Sequence, residues 1–236
     1  MSNGHIEHKP KIYRAEDIKY HGDEPYLEII LGQMVIQLLL KNVGSNQEPI
    51  WIAWFDPLEE KIKMAGSQAL VEILDKLTNV SLAITPFSSK SIPMIVKACE
   101  KIELPLLDLV GSTDFDHIKA QTCQEDLIYA YFPITSQDKA KYLAFGEETV
   151  KHIQRVIRSG QGIVIIDDVY SSGATIKAIL DGLKDILGEE LFKIADIEVV
   201  TVAREGILRN GEPVPEIDME KNLTYAVFIP EIIGDL

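Results

Sequence analysis

Gly162 to Leu180 reads GIVIIDDVYSSGATIKAIL. Ile163, Val164, Ile165 and Ile166, four β-branched apolar residues in a row, predict a strand buried on both faces. That strand runs into two carboxylates, Asp167 and Asp168. Ser171-Ser172-Gly173-Ala174-Thr175 follows, and a helix begins at once, with Ile176, Ile179, Leu180, Leu183 and Leu187 on one face. Gly173 can take a positive φ, so that successive backbone N–H groups converge. The Ser and Thr hydroxyls add donors, and the positive end of the following helix points at the same spot. The segment is an anion cradle with two acids at its lip. Acids fit there if the ligand also presents vicinal hydroxyls and shares a divalent cation. A sugar phosphate with Mg²⁺ meets both demands.

Outward from this segment, apolar strands alternate with amphipathic helices. Ala69, Leu70, Ile73, Leu74 and Leu77 recur at helical spacing before the strand VSLAIT; Ile92, Ile95, Val96, Cys99 and Ile102 do so before LPLLDLV. Val150, Ile153 and Ile157 mark another helix, and IADIEVVTVA another strand. Such alternation predicts an α/β fold: a mostly parallel sheet with helices on both faces, its ligands beyond the carboxyl ends of the strands. YLEIILGQMVIQLLL and QEPIWIAWFD read instead as strands, the first broken at Gly32-Gln33. We therefore expect one domain. Its core covers about 60–204, and a small antiparallel annex, or hood, is drawn from about 20–56 and 205–236. Trp51 and Trp54 fall on the strand pattern and are expected in the core.

The chain has 236 residues, 46% of them hydrophobic and 25% charged, which excludes disordered and fibrous classes. With 23 Lys and Arg against 37 Asp and Glu, the net charge of -14 argues against nucleic-acid binding. Two cysteines, Cys99 and Cys123, are too few for a disulfide framework, and Cys99 lies on the apolar side of its helix. The polar start MSNGHIEHKPKIYR has no apolar segment of the secretory kind, and Ile29 to Leu40 is too short for a bilayer span of roughly 20 residues. A cytoplasmic, membrane-free protein is the expectation. His5 and His8 lack the neighbours of a zinc set, and no nucleoside-triphosphate loop, dinucleotide fingerprint or serine elbow occurs.

IVIIDDVYSSGAT resembles the phosphoribosyl-pyrophosphate (PRPP) signature of the type I phosphoribosyltransferases, with Tyr170 at a usually aliphatic position. ITPFSSKSIPMIVKACEKIELP is similar to the diphosphate loop and helix of the purine (adenine/xanthine-like) branch, YFPITSQDKAKYLAFGEE to its flexible lid, and VAREGILRNGEPVPEI to its Glu-Gly segment. The resemblance implies that Asp167 and Asp168 contact the ribose hydroxyls, and that Ser171, Ser172, Gly173, Ala174 and Thr175 hold the 5-phosphate. Ser88, Ser89, Lys90 and Ser91, with Thr135, Ser136 and Lys139 of the lid and Lys141 in reserve, lie by the same likeness near the diphosphate. Mg²⁺ is carried mainly by the substrate, with Asp167 and Asp168 as further ligands, and a homodimer is implied. Phe87, Tyr131 and Phe132 are candidates to stack on the base.

The reaction so implied is purine salvage: a purine displaces pyrophosphate from PRPP to give a nucleotide. Three departures matter. Val110-Gly111-Ser112 stands where adenine-type enzymes carry an Arg-Lys pair, Ser171 where hypoxanthine-guanine enzymes carry an Asp, and the lid lacks an Arg. They leave open a non-catalytic PRPP-sensing protein of the same fold, and an orotate-type transferase, which the purine-like C-terminal segment weakens.

Overall fold

Two hydrophobic periods along the chain resolve into a large, mostly parallel sheet and a smaller antiparallel one that packs into the apolar cluster on one of its sides. The structure is a computed structural model describing residues 11–44, 49–86, 90–123, 126–131, 140–206, 208–209, 212–213 and 221–233. After a two-residue β1 (Lys11–Ile12), the chain forms β2 (Ile18–His21), β3 (Glu24–Leu31), β4 (Met34–Asn42) and β5 (Ile50–Ala53). Helix α1 (Glu60–Leu74) leads to β6 (Val80–Pro86), α2 (Ile92–Lys101), β7 (Leu106–Ser112) and α3 (Phe115–Gln121). The hairpin strands β8 (Leu127–Tyr131) and β9 (Lys141–Phe145) precede α4 (Glu147–Arg158) and β10 (Gly162–Tyr170). Then come α5 (Ala174–Leu187), α6 (Glu189–Ile194), β11 (Ile197–Gly206), the short pair β12 (Leu208–Arg209) and β13 (Glu212–Pro213), β14 (Leu223–Pro230) and β15 (Ile232–Ile233).

The main sheet has the order β1-β14-β11-β10-β6-β7-β9-β8. It is parallel from β1 to β7 and antiparallel at the β7-β9-β8 edge. The smaller sheet, β15-β5-β4-β3-β2, is antiparallel. Its hairpin turns at Gly32, whose φ of +58° suits a two-residue connection, and Leu31 pairs with Met34 across it. Alternation then puts Leu27, Ile29 and Leu31 of β3, with Ile36, Leu38 and Leu40 of β4, on the core face.

One part of the expected annex lies elsewhere. Leu223–Pro230 is a parallel strand of the main sheet, in register with β11 from Val199↔Leu223 to Gly206↔Pro230. Three consecutive residues, Val227, Phe228 and Ile229, are buried there. A strand covered on both faces belongs in a helix-sandwiched parallel sheet, not in a one-sided annex. Of the C-terminal segment, Ile232–Ile233 joins the annex, pairing with Trp51 and Ile50.

Two apolar clusters fill the two sides of the main sheet. The first joins the annex face to α1, α2, Val164 and Ile166; the second joins α4, α5 and α6 to Ile163 and Ile165. Cys99 is buried in the first, and its thiol is pushed up to about 11 by burial.

Candidate functional site

The sheet order reverses between β6 and β10. From β6 the chain moves outward through β7, whereas β10 leads the opposite way through β11 and β14. This is a topological switch point, where open α/β sheets leave a crevice at their carboxyl ends. The pairing enlarges the gap. β10 is laddered to β6 only as far as Ile165↔Ile84, yet to β11 as far as Tyr170↔Arg204. Asp167 and Asp168 sit on the stretch of β10 that has lost its β6 neighbour.

Local chemistry shapes that stretch. The Asp168 N–H donates to Asp167 Oδ1 at 2.9 Å, and the Val169 N–H donates to Asp168 Oδ1 at 2.9 Å. The two carboxylates thus bond local amides just past the point where the β6 ladder ends. Packing alternation slips by one here: Val164, Ile166 and Val169 pack on the annex side, but Tyr170 joins Ile163 and Ile165 on the other. Register against β11 is kept, with Asp167↔Thr201 and Val169↔Ala203.

The cradle has the expected form. Gly173 caps α5 in the left-handed conformation, φ +71° and ψ 1°. Ser172 Oγ accepts from the Ala174 N–H at 3.3 Å, and the Lys177 N–H closes the first turn on the Gly173 carbonyl at 2.8 Å. Ahead of that turn, the Thr175 and Ile176 N–H groups have no acceptor within the helix. Ser171 and Thr175 are half-buried and Ser172 is exposed. The structure therefore brings Asp167, Asp168 and Ser171 to Thr175 together within one strand–turn–helix unit.

Electrostatically the crevice is acid-rich. Asp167 is only 8% exposed. Burial, then the Asp168 charge, holds its carboxyl well above the ordinary range. Burial also raises Asp168, against the hydrogen bonds it accepts. Glu205, near the end of β11, is pushed up to about 8 by burial, with Glu231 and Asp168 adding to the effect. Lys141 pulls both aspartates the other way. Burial, then the Asp167 charge, pushes the Tyr131 hydroxyl up to about 12.

The other expected positions are less tightly gathered. Lys90 is exposed, and its Nζ lies 6.0 Å from the centre of the Trp54 ring. Ser91 is fully buried at the start of α2, where its carbonyl accepts from Met94 and Ile95. Ser88, Ser89, Thr135, Ser136 and Lys139 lie outside the described residues, as do Phe87 and Phe132. Trp54 departs from its core expectation: it is half-buried, with Lys41 Nζ 4.0 Å from its ring centre, because it falls just past β5. Two surface cavities, of about 410 and 520 Å³, lie around Leu104 and Pro105 and share no residue with the cradle.

Solved structures similar to this chain include adenine and purine phosphoribosyltransferases. Adenine phosphoribosyl transferase from Trypanosoma brucei, in complex with AMP, pyrophosphate and ribose-5-phosphate, is 15% identical at a TM-score of 0.42. That overlap covers 62% of this chain and 54% of the other, so the chain spans about half the length of that protein. Adenine phosphoribosyltransferase from Thermoanaerobacter pseudethanolicus is 14% identical over 71% of this chain and 84% of its own, with a TM-score of 0.44. A hypothetical protein from Neisseria gonorrhoeae with bound ppGpp is 14% identical over 70% and 77%, with a TM-score of 0.42. No protein-family model and no curated protein matches the chain. With overlaps this loose, function has to be read from the chain's own residues.

Sequence reasoning holds Lys141 only in reserve, names Tyr131 only as a stacking candidate, and gives Glu205 no role beyond its Glu-Gly pair. Glu205 carries a usable signal, since it ends the parallel strand beside β10. Tyr131 and Lys141 carry none: they face each other across the β8–β9 pair, and only the fold brings them to the aspartates. Among the described residues, no helix is long and apolar enough to cross a membrane.

Proposed function

We propose that this chain is a Mg²⁺-dependent phosphoribosyltransferase that moves ribose 5-phosphate from PRPP to a ring nitrogen of a purine, releasing pyrophosphate. The observation that carries the reading is Gly173 at φ +71° heading α5, one short turn after the buried Asp167 and half-buried Asp168 at the switch point.

In this reading the first-turn amides of α5 and the hydroxyls of Ser171, Ser172 and Thr175 hold the 5-phosphate. Asp167 and Asp168 accept from the ribose hydroxyls and fix the sugar, so that its anomeric carbon stays open to the incoming nitrogen. Charge developing on the sugar is positive, and a carboxylate field favours it. The aspartates also suit a hard cation that takes one or two carboxylates and completes its shell from phosphate and water. When bound, Mg²⁺ supplies Lewis-acid stabilisation of the departing diphosphate. The overall negative charge is no obstacle, because distant surface acids are screened beyond roughly 8 Å in physiological salt.

The test is pyrophosphate release from PRPP and Mg²⁺ with adenine, guanine, hypoxanthine and xanthine in turn. Turnover with at least one base is expected; PRPP binding with no turnover on any of the four removes the transferase reading.

A second reading has an observation of its own. Val110, Gly111 and Ser112, which replace the Arg-Lys pair, are laddered to Ala144, Leu143 and Tyr142 and offer no cation. A PRPP-sensing protein without chemistry would show a Tm raised by PRPP while every base stays unconsumed.

A further inference from the structure

We propose that Lys41, an annex residue held on the ring of Trp54 beside Lys90, binds the diphosphate end of the sugar substrate. This inference rests on the transferase reading above and adds to it a contribution from the annex.

Both sheets contribute to the cluster. β4 and β5 pair through Lys41↔Ile52, so Lys41 shares a face with Trp54, two residues beyond Ile52. The Trp54 N–H donates to the Leu39 carbonyl at 2.7 Å, which fixes the root of the side chain against β4. Lys41 Nζ then stands 4.0 Å from the ring centre. Lys90 arrives from the main sheet. It follows the carboxyl end of β6, the strand that borders the crevice opposite β10, and its Nζ lies 6.0 Å from the centre of the same ring. Those two distances keep the ammonium groups within about 10 Å of each other.

An indole attracts an ammonium ion without neutralising it. Lys19, Lys63, Lys151, Lys177 and Lys193 each pair with a carboxylate. Lys41 and Lys90 face an aromatic ring, and no carboxylate among the described residues forms an ion pair with either. Two like charges gathered at one ring repel each other, and an anion between them turns that repulsion into attraction. The anion must be long enough for both ammonium groups to reach it. A diphosphate, with a phosphate at each end, meets that demand, whereas a base is excluded from the ring face that Lys41 covers. The amides of α5, on the β10 side of the crevice, serve the 5-phosphate, and this cluster on the β6 side serves the other end. Trp54 is a positioning residue: it holds the ammonium group of a flexible four-carbon chain in one place, and that ordering is done before the ligand arrives.

The experiment titrates the full chain by calorimetry with inorganic pyrophosphate in Mg²⁺, and separately with ribose 5-phosphate. Lys41→Ala should weaken pyrophosphate binding about five- to ten-fold and leave ribose 5-phosphate binding unchanged. Lys41→Arg should stay within about two-fold of wild type, since a guanidinium also binds phosphate and rests on an indole. Trp54→Leu should cost about two- to five-fold for pyrophosphate alone. Lys19→Ala removes an annex cation already paired with Glu28 and should change neither affinity. Pyrophosphate affinity that is untouched in Lys41→Ala, lost equally in Lys19→Ala, or lost together with ribose 5-phosphate affinity overturns this inference alone. So does a wild-type chain that binds ribose 5-phosphate and not pyrophosphate. If the wild-type chain does not bind ribose 5-phosphate, the cradle function fails and this inference with it.

Discussion

The Tyr170 ring occupies the space that a β-carbon on Gly173 would need: its Cζ lies 2.6 Å, and its Cε2 3.1 Å, from that position. Tyr170 belongs to β10 and is buried against the second apolar cluster, so it cannot swing away freely. The turn after the aspartates is therefore fixed twice, by the sign of φ and by a neighbouring ring.

Gly173→Ala should fail on both counts. The left-handed conformation costs an L-residue roughly 1–2 kcal/mol, before any clash with Tyr170 is added. Ribose 5-phosphate affinity should fall at least about ten-fold, which corresponds to about 1.4 kcal/mol. Adding Tyr170→Ala should relieve the clash without restoring the turn, so titration of the double variant should still show weak binding.

Asp167→Asn should separate chemistry from stability. Asn Oδ1 can still accept from the Asp168 N–H, so the local structure survives. Turnover should be lost. The folded protein holds the Asp167 proton far more tightly than the unfolded chain does, so the wild type loses stability as pH rises above about 4. The variant lacks that penalty. Its Tm should exceed that of the wild type at about pH 7.5 and converge with it near pH 4 in a series of thermal melts.

Glu205 gives a second titration with a defined window. Its folded value is about 8 against an ordinary 4.5, so the native state binds the extra proton between those limits. Stability should fall as pH rises from about 4.5 to 8 and level off above. Glu205→Gln should flatten that part of the profile. A curve identical to wild type over that span would place Glu205 in water.

Glu103 carries the one positive φ outside glycine among the described residues, +57°, at the end of α2. The Leu104 N–H donates back to the Cys99 carbonyl at 3.0 Å, the closure of a left-handed helix cap, where glycine is usual. Glu103→Gly should stabilise the protein by about 1 kcal/mol. For a chain of this size that is a Tm gain of about 2–4 °C.

Much of this is legible in residues 162–180, because strand, acids, turn and helix follow one another without interruption there. The parallel core is legible for the same reason: each β–α step is local, and Leu82 to Ile84 or Val164 to Ile166 read as doubly buried from composition alone. Leu223–Pro230 is not, since an apolar run does not say which sheet it joins or that β11 is its partner. The site divides in the same way. Asp167 to Thr175 is contiguous, whereas Tyr131, Lys141 and Glu205 arrive from strands that only tertiary pairing places beside it. Trp54 is misplaced because a strand pattern does not show where the strand stops.

The annex has no interior of its own. Leu27, Ile29, Ile36, Leu38 and Ala53 pack into the same cluster as Ile62, Leu70, Val200 and Val227. Excising residues 18–53 would strip one face of α1 and of the parallel strands together, leaving a sticky remnant and not a smaller folded unit. Variation of the annex must then proceed by exchange of outward side chains, with the backbone beneath kept as shared masonry.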